Sequence, residues 1–155
     1  MSIEAALRET RIRELKPPAP ACVAREATLR EAISSMRARR AGCVLACEGE
    51  RLVGILTERD LLRRVAGEDV SLDSPVADFM SSGPRTLTAD DLVGDAIRLM
   101  DEGGYRHLPI VNKAGRIEAI ISIQQIIQFL AELYPTEVLN LPPEPHQYMD
   151  SREGG

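Results

Sequence analysis

The stretch Leu52-Val53-Gly54-Ile55-Leu56-Thr57-Glu58-Arg59-Asp60-Leu61-Leu62 returns 65 residues later as Ile117-Glu118-Ala119-Ile120-Ile121-Ser122-Ile123-Gln124-Gln125-Ile126-Ile127. Each copy opens on an apolar run, the composition of a buried strand. Each then passes through a hydroxyl residue, Thr57 or Ser122, followed three positions on by Asp60 or Gln125. Apolar residues at helical spacing come next, so strand, turn and helix occur twice. The pattern predicts strands at Leu52–Thr57 and Ile117–Ser122 and helices at Glu58–Ala66 and Ile123–Leu133.

The duplication extends upstream. Gly42-Cys43-Val44-Leu45 aligns with His107-Leu108-Pro109-Ile110 at the same offset. Thr28–Met36 aligns with Leu92–Met100 at an offset of 64, so one residue is inserted near Gly103-Gly104. These segments add strands at Cys43–Cys47 and Leu108–Val111, and helices at Ala27–Arg39 and Asp90–Glu102, the latter with Thr88 as N-cap. The turns Glu48-Gly49-Glu50 and Asn112-Lys113-Ala114-Gly115 carry the Gly and Asn that hairpins favour. The order helix, strand, strand, helix defines an α+β fold. One such unit of about 50 residues buries its sheet face poorly, whereas two related by a pseudo-twofold axis share a core. Met36 and Met100 fall at equivalent helical positions and belong to that core. The expected organisation is an N-terminal helix and Pro-rich linker (1–20), a first repeat (21–70), a second repeat (71–134) and an extended or disordered tail (135–155).

Composition narrows the function classes. A chain of 155 residues with 44% hydrophobic residues folds without a disulfide or metal staple. A net charge of −5 argues against a nucleic-acid-binding face. Two Phe, three Tyr and no Trp leave little for base or sugar stacking. The longest apolar runs, such as Ala41–Cys47, are too short to span a membrane, and Met1–Lys16 lacks the apolar core of a signal peptide, so the cytoplasm is the expected location. Three cysteines, Cys22, Cys43 and Cys47, do not form a secreted disulfide framework. On one strand Cys43 and Cys47 stand about 13 Å apart, at ~3.3 Å per residue, too far to chelate one ion. With only two histidines, one of them His146 in the tail, no metal site is expected. Nucleophile-elbow, phosphate-loop and dinucleotide-fingerprint motifs are absent, and no catalytic residue is assigned.

Thr57 with Asp60, and Ser122 with Gln125, fit two roles. As capping boxes they tie off the helices that follow. As a site, a carboxylate accepts the paired hydroxyls of a ribose, as an acid does in dinucleotide-binding folds, and a helix N-terminus favours phosphate. The readings part at Gln125. An amide caps as well as an acid, but it is neutral and has a single acceptor oxygen.

The twofold repeat, Gly54–Asp60 and Tyr105-Arg106-His107-Leu108-Pro109-Ile110-Val111 together resemble the cystathionine-β-synthase (CBS) domain family, in the tandem form called a Bateman module, over about residues 20–133. The resemblance implies a regulatory module without catalysis of its own. It implies an adenosine-containing ligand such as AMP, ADP, ATP or S-adenosylmethionine in the cleft between repeats, and pairing into a homodimer. Carried over by residue, Asp60 is the ribose-binding acid with Thr57 beside it. Arg106, His107 and Arg40 approach the phosphates, and Ile55 and Val23 flank the adenine. Gln125 and Ala119 depart from the pattern in the second repeat, which leaves Ser122 and Gln125 as a weaker second site.

The leading expectation is therefore a ligand sensor, acting on an unidentified protein target through altered repeat or dimer arrangement. The alternative is a ligand-free dimerisation and interaction module in which Thr57 and Asp60 only cap a helix. A small enzyme working through His107 or Asp60 is the third reading.

Overall fold

The computed structural model describes residues 2–133, and the expected tail at 135–155 lies outside them. In chain order the elements are α1 (Ile3–Glu9), β1 (Cys22–Ala24), α2 (Leu29–Arg39), β2 (Cys43–Glu48), β3 (Arg51–Thr57), α3 (Glu58–Arg64), β4 (Ser81–Ser82), α4 (Val93–Gly103), β5 (His107–Val111), β6 (Ile117–Ser122) and α5 (Ile123–Leu133). The architecture is α+β. A four-stranded sheet runs β1-β2-β3-β4, and β5 and β6 form a second sheet.

The two predicted hairpins are both present. β2 pairs antiparallel with β3, and β5 with β6. Gly115 turns the second hairpin at φ +80°, a conformation that L side chains disfavour, and Asn112 Oδ1 holds the turn by accepting from the amides of Ala114 and Arg116. α2 starts at Thr28, whose hydroxyl accepts from the Glu31 amide while the Glu31 carboxylate accepts from the Thr28 amide. Thr88 does not cap α4. Asp91 Oδ2 takes its amide at 2.7 Å and folds a separate turn, so α4 begins after Leu92, whose amide is held by Asp95. β1 and β4 were not expected from sequence, being too short to show alternation.

The repeats exchange their leading segments. Ile12, fully buried, sits in the second repeat's core with Val93, Leu108 and Ile121, and Leu7 and Leu15 pack beside it. The Ile12 amide donates to Asp91 O, and the Val93 amide to Thr10 O. Val76, 64 residues later, does the same in the first repeat, among Leu29, Val44 and Leu56, with its amide on Ala27 O. β4 continues the exchange by pairing with β3, as Pro18 does with Ile120 of β6.

Two contacts mark the pseudo-twofold axis, because each joins a residue to its own counterpart. Arg51 bridges Arg116 in antiparallel fashion, and the His107 ring covers Gly42, where an added Cβ would lie 2.9 Å from Nε2. Between the sheets, Cys43, Leu45, Cys47 and Ile55 meet Leu52, Ile117 and Ile120 in a third apolar cluster. Burial pushes the Cys43 and Cys47 thiols up to about 12, so both pack as small apolar side chains. No described helix is long and apolar enough to cross a membrane, and no group of three or more His, Cys, Asp or Glu among the described residues could hold a metal ion.

Candidate functional site

The exchange brings three turns together around each of two adjoining clefts. In the first cleft, of about 430 Å³, these are the β3–α3 turn with Thr57 and Asp60, the connection after β4, and the α4–β5 turn with Tyr105 and Arg106. Ile55, buried, lines it as well. Asp60 forms the capping box through one oxygen. Its Oδ2 accepts from the Thr57 amide at 2.9 Å and from the Thr57 hydroxyl at 3.0 Å, and the hydroxyl accepts from the Asp60 amide. Oδ1 takes no hydrogen bond from the described residues. The two roles read from the sequence are thus compatible, since capping leaves one carboxylate oxygen free.

Arg59, Arg85 and Arg106 also line this cleft. Six arginines elsewhere reach a carboxylate within ion-pair distance, but among the described residues these three reach none. Tyr105 folds back over Gly103, where a Cβ would lie 2.1 Å from its ring. Unpaired guanidiniums beside a free carboxylate oxygen form a surface for a ligand with both anionic and hydroxyl groups.

Gly42, Glu58, Arg106 and His107 line both clefts and form the wall between them. Burial holds the His107 imidazole below its ordinary value, opposed by Glu58 and reinforced by Arg106, so the ring is neutral at pH 7.

The second cleft, of about 530 Å³, repeats the construction with the β6–α5 turn, the Pro18–Ala21 segment and the α2–β2 turn. Gln125 Oε1 accepts from the Ser122 amide at 2.8 Å, and the Ser122 hydroxyl accepts from the Gln125 amide. The single oxygen of Gln125 serves the cap, and no second oxygen is left beside it as in Asp60.

Arg40, grouped with Asp60 in the sequence reading, lines this second cleft instead, because the α2–β2 turn packs across the axis from Ser122. Its backbone is left-handed, at φ 52°, and its counterpart Gly104 has φ 69°, so the inserted residue falls just after Gly104. Val23 lines neither cleft. Neighbouring strand residues face opposite ways, and Val23 packs among the helices of the first repeat's core. Gly54 lies within β3, and its missing Cβ makes room for Met80, whose Sδ would lie 2.4 Å from it. Sequence reasoning missed Arg59, Glu58, Tyr105 and the Ser81–Arg85 segment. The repeat offset could have found the last, since it pairs Ser82 with Pro18 at the mouth of the other cleft.

A family model of the CBS domain matches residues 12–67 and 76–132, and its two matches begin at Ile12 and Val76, the exchanged residues. The chain belongs to the CBS-domain family. It carries two CBS domains. A curated relative, an uncharacterized 17.7 kDa protein of Acidianus ambivalens, is 33% identical over 69% of this chain and 65% of its own length. Other curated matches are partial: 86 residues, or 44%, of a Methanopyrus kandleri protein and 19% of an Arabidopsis thaliana CBS domain-containing protein. Among solved structures, a CBS domain protein of Pyrobaculum aerophilum complexed with AMP is 31% identical, with a TM-score of 0.68 over 79% of this chain and 99% of that one. A CBS-domain protein of Agrobacterium tumefaciens is 27% identical, with a TM-score of 0.71 over 78% of this chain and 99% of that one.

Proposed function

We infer that this CBS pair is a regulatory, non-catalytic module that binds an adenosine-containing nucleotide of the AMP, ADP or ATP kind in the first cleft. The observation that carries the reading is the free Oδ1 of Asp60 beside Arg59, Arg85 and Arg106. The carboxylate takes the ribose hydroxyls with Thr57 holding it in place. The arginines, with His107 beside them, face the phosphates, and Ile55 supports the base. The AMP complex of the Pyrobaculum relative is consistent with this ligand class. A ligand gripped by both repeats favours one relative orientation of them, which is the signal passed to a target protein.

The same reading includes pairing of two chains. Leu62 and Ile127 occupy equivalent positions on α3 and α5, and both are exposed, at 73% and 58%. Leu62→Glu is expected to convert a dimer into a monomer in light scattering.

The ligand is tested by thermal unfolding with AMP, ADP, ATP, S-adenosylmethionine and NAD. At 100 times its dissociation constant a ligand adds about 2.7 kcal/mol, roughly 5–10 °C for a chain this long. At the same ligand concentration the shift is expected to fall to about a third in Asp60→Ala. No shift with any of the five in a folded protein supports the ligand-free interaction module instead.

A further inference from the structure

We propose that the second cleft is an oxyanion site, taking a phosphate or pyrophosphate group without a ribose. Its donor set differs from that of the first cleft at the decisive position. Gln125 is neutral where Asp60 is charged, its one oxygen serves the cap, and its side-chain NH₂ offers donors to a ligand. The Ser122 oxygen already accepts from the Gln125 amide, which leaves its own proton to donate. A vicinal diol is best held by a carboxylate, and this turn has none. An oxyanion needs donors and finds several.

The charges agree. Arg39, Arg40 and Arg106 line the cleft, against the single carboxylate of Glu58. Among the described residues none of the three arginines reaches a carboxylate, and Arg39 meets only the Ala19 carbonyl, at 3.5 Å. Guanidinium forks match the paired oxygens of a phosphate. Arg40 adds an independent observation. It holds a left-handed backbone that its counterpart meets with Gly104, so the chain keeps a strained side-chain-bearing residue where glycine would cost less. The strain fixes the start of a guanidinium at the mouth of the cleft.

The anion has two possible sources, a free inorganic phosphate or the distal phosphates of a nucleotide seated in the first cleft, reached along the shared wall at Arg106. The proposal stands whatever fills the first cleft.

The test is calorimetric titration of the full chain with inorganic pyrophosphate at constant ionic strength. The expected result is one saturable site whose affinity falls at least about tenfold in Arg40→Gly, the loss of one charge-assisted contact. Arg40→Gly should fold at least as well as the native chain, since glycine is at ease at this φ. Gln125→Glu keeps an oxygen for the cap but adds a negative charge, and should weaken binding comparably. No pyrophosphate binding at millimolar concentration, or affinity unchanged by both substitutions, overturns the proposal. Displacement by ATP but not AMP identifies the distal phosphates of a nucleotide as the source, and binding alongside ATP identifies the free anion. Asp60→Ala separates this site from the other: it should weaken AMP binding about 30-fold and leave pyrophosphate binding intact.

Discussion

Asp60 caps α3 through one oxygen, the proposed function gives the ribose to the other, and substitution can separate the two roles. Asp60→Asn keeps one oxygen for the cap, as Gln125 does in the second repeat, and removes the charge and the free acceptor. Asp60→Ala removes both. Losing a helix cap costs about 1 kcal/mol, or roughly 2–4 °C in a chain of this length. Asp60→Ala should therefore melt about that much lower than the native chain, while Asp60→Asn should melt close to it. Binding should follow a different order. Oδ1 is the one unoccupied carboxylate oxygen, so the estimate rests on one charge-assisted hydrogen bond to the ribose, about 2 kcal/mol. At ~1.4 kcal/mol per decade that is about a 30-fold loss of AMP affinity, and it should appear in both variants. The assay is calorimetric titration with AMP beside thermal unfolding of the same samples. If Asp60→Asn binds AMP within a factor of about three of the native chain, the carboxylate is only a cap and the ribose assignment is wrong.

Gly54→Ala drives a Cβ into Met80, which is itself buried, and should cost about 1–3 kcal/mol in urea unfolding. Adding Met80→Ala should recover part of that loss, and strictly additive costs would show that the two residues do not meet. Ile12→Ala should cost about 2–5 kcal/mol, as a fully buried core residue does; a negligible loss would make the N-terminal segment an appendage rather than part of the second core. His107 should make stability depend on pH. Its folded pKa lies below its unfolded value, so the unfolded chain takes up the proton first, and stability declines as pH falls below about 6.5. His107→Gln should flatten the denaturant midpoint between pH 7.5 and 5.5, and parallel curves for the two proteins would remove this imidazole from the balance.

The duplicated strand, turn and helix were legible because each repeat writes them in strong periodic patterns. Thr57–Asp60 and Ser122–Gln125 could be read both as caps and as a site, and only the hydrogen bonds showed that capping leaves Asp60 a free carboxylate oxygen and leaves Gln125 none. Arg40 went to the wrong cleft because sequence spacing locates a residue within its own repeat and does not say which cleft that part of the repeat faces. Val23 failed for a smaller reason, since three residues of β1 give no alternation from which to read a face. The exchange of leading segments was silent, because Ile12 and Val76 look the same whichever core receives them.

That exchange has a consequence on the ribosome. Leu7, Ile12 and Leu15 are made before the side chains that cover them, which extend through Ile126, roughly a hundred residues later. At about 5–20 residues per second, the leading apolar segment waits on the order of 6–20 s for its partners. The segment is thus buried long after it is made, and a product stalled or truncated before Ile126 leaves it exposed as a hydrophobic tag for chaperones to find.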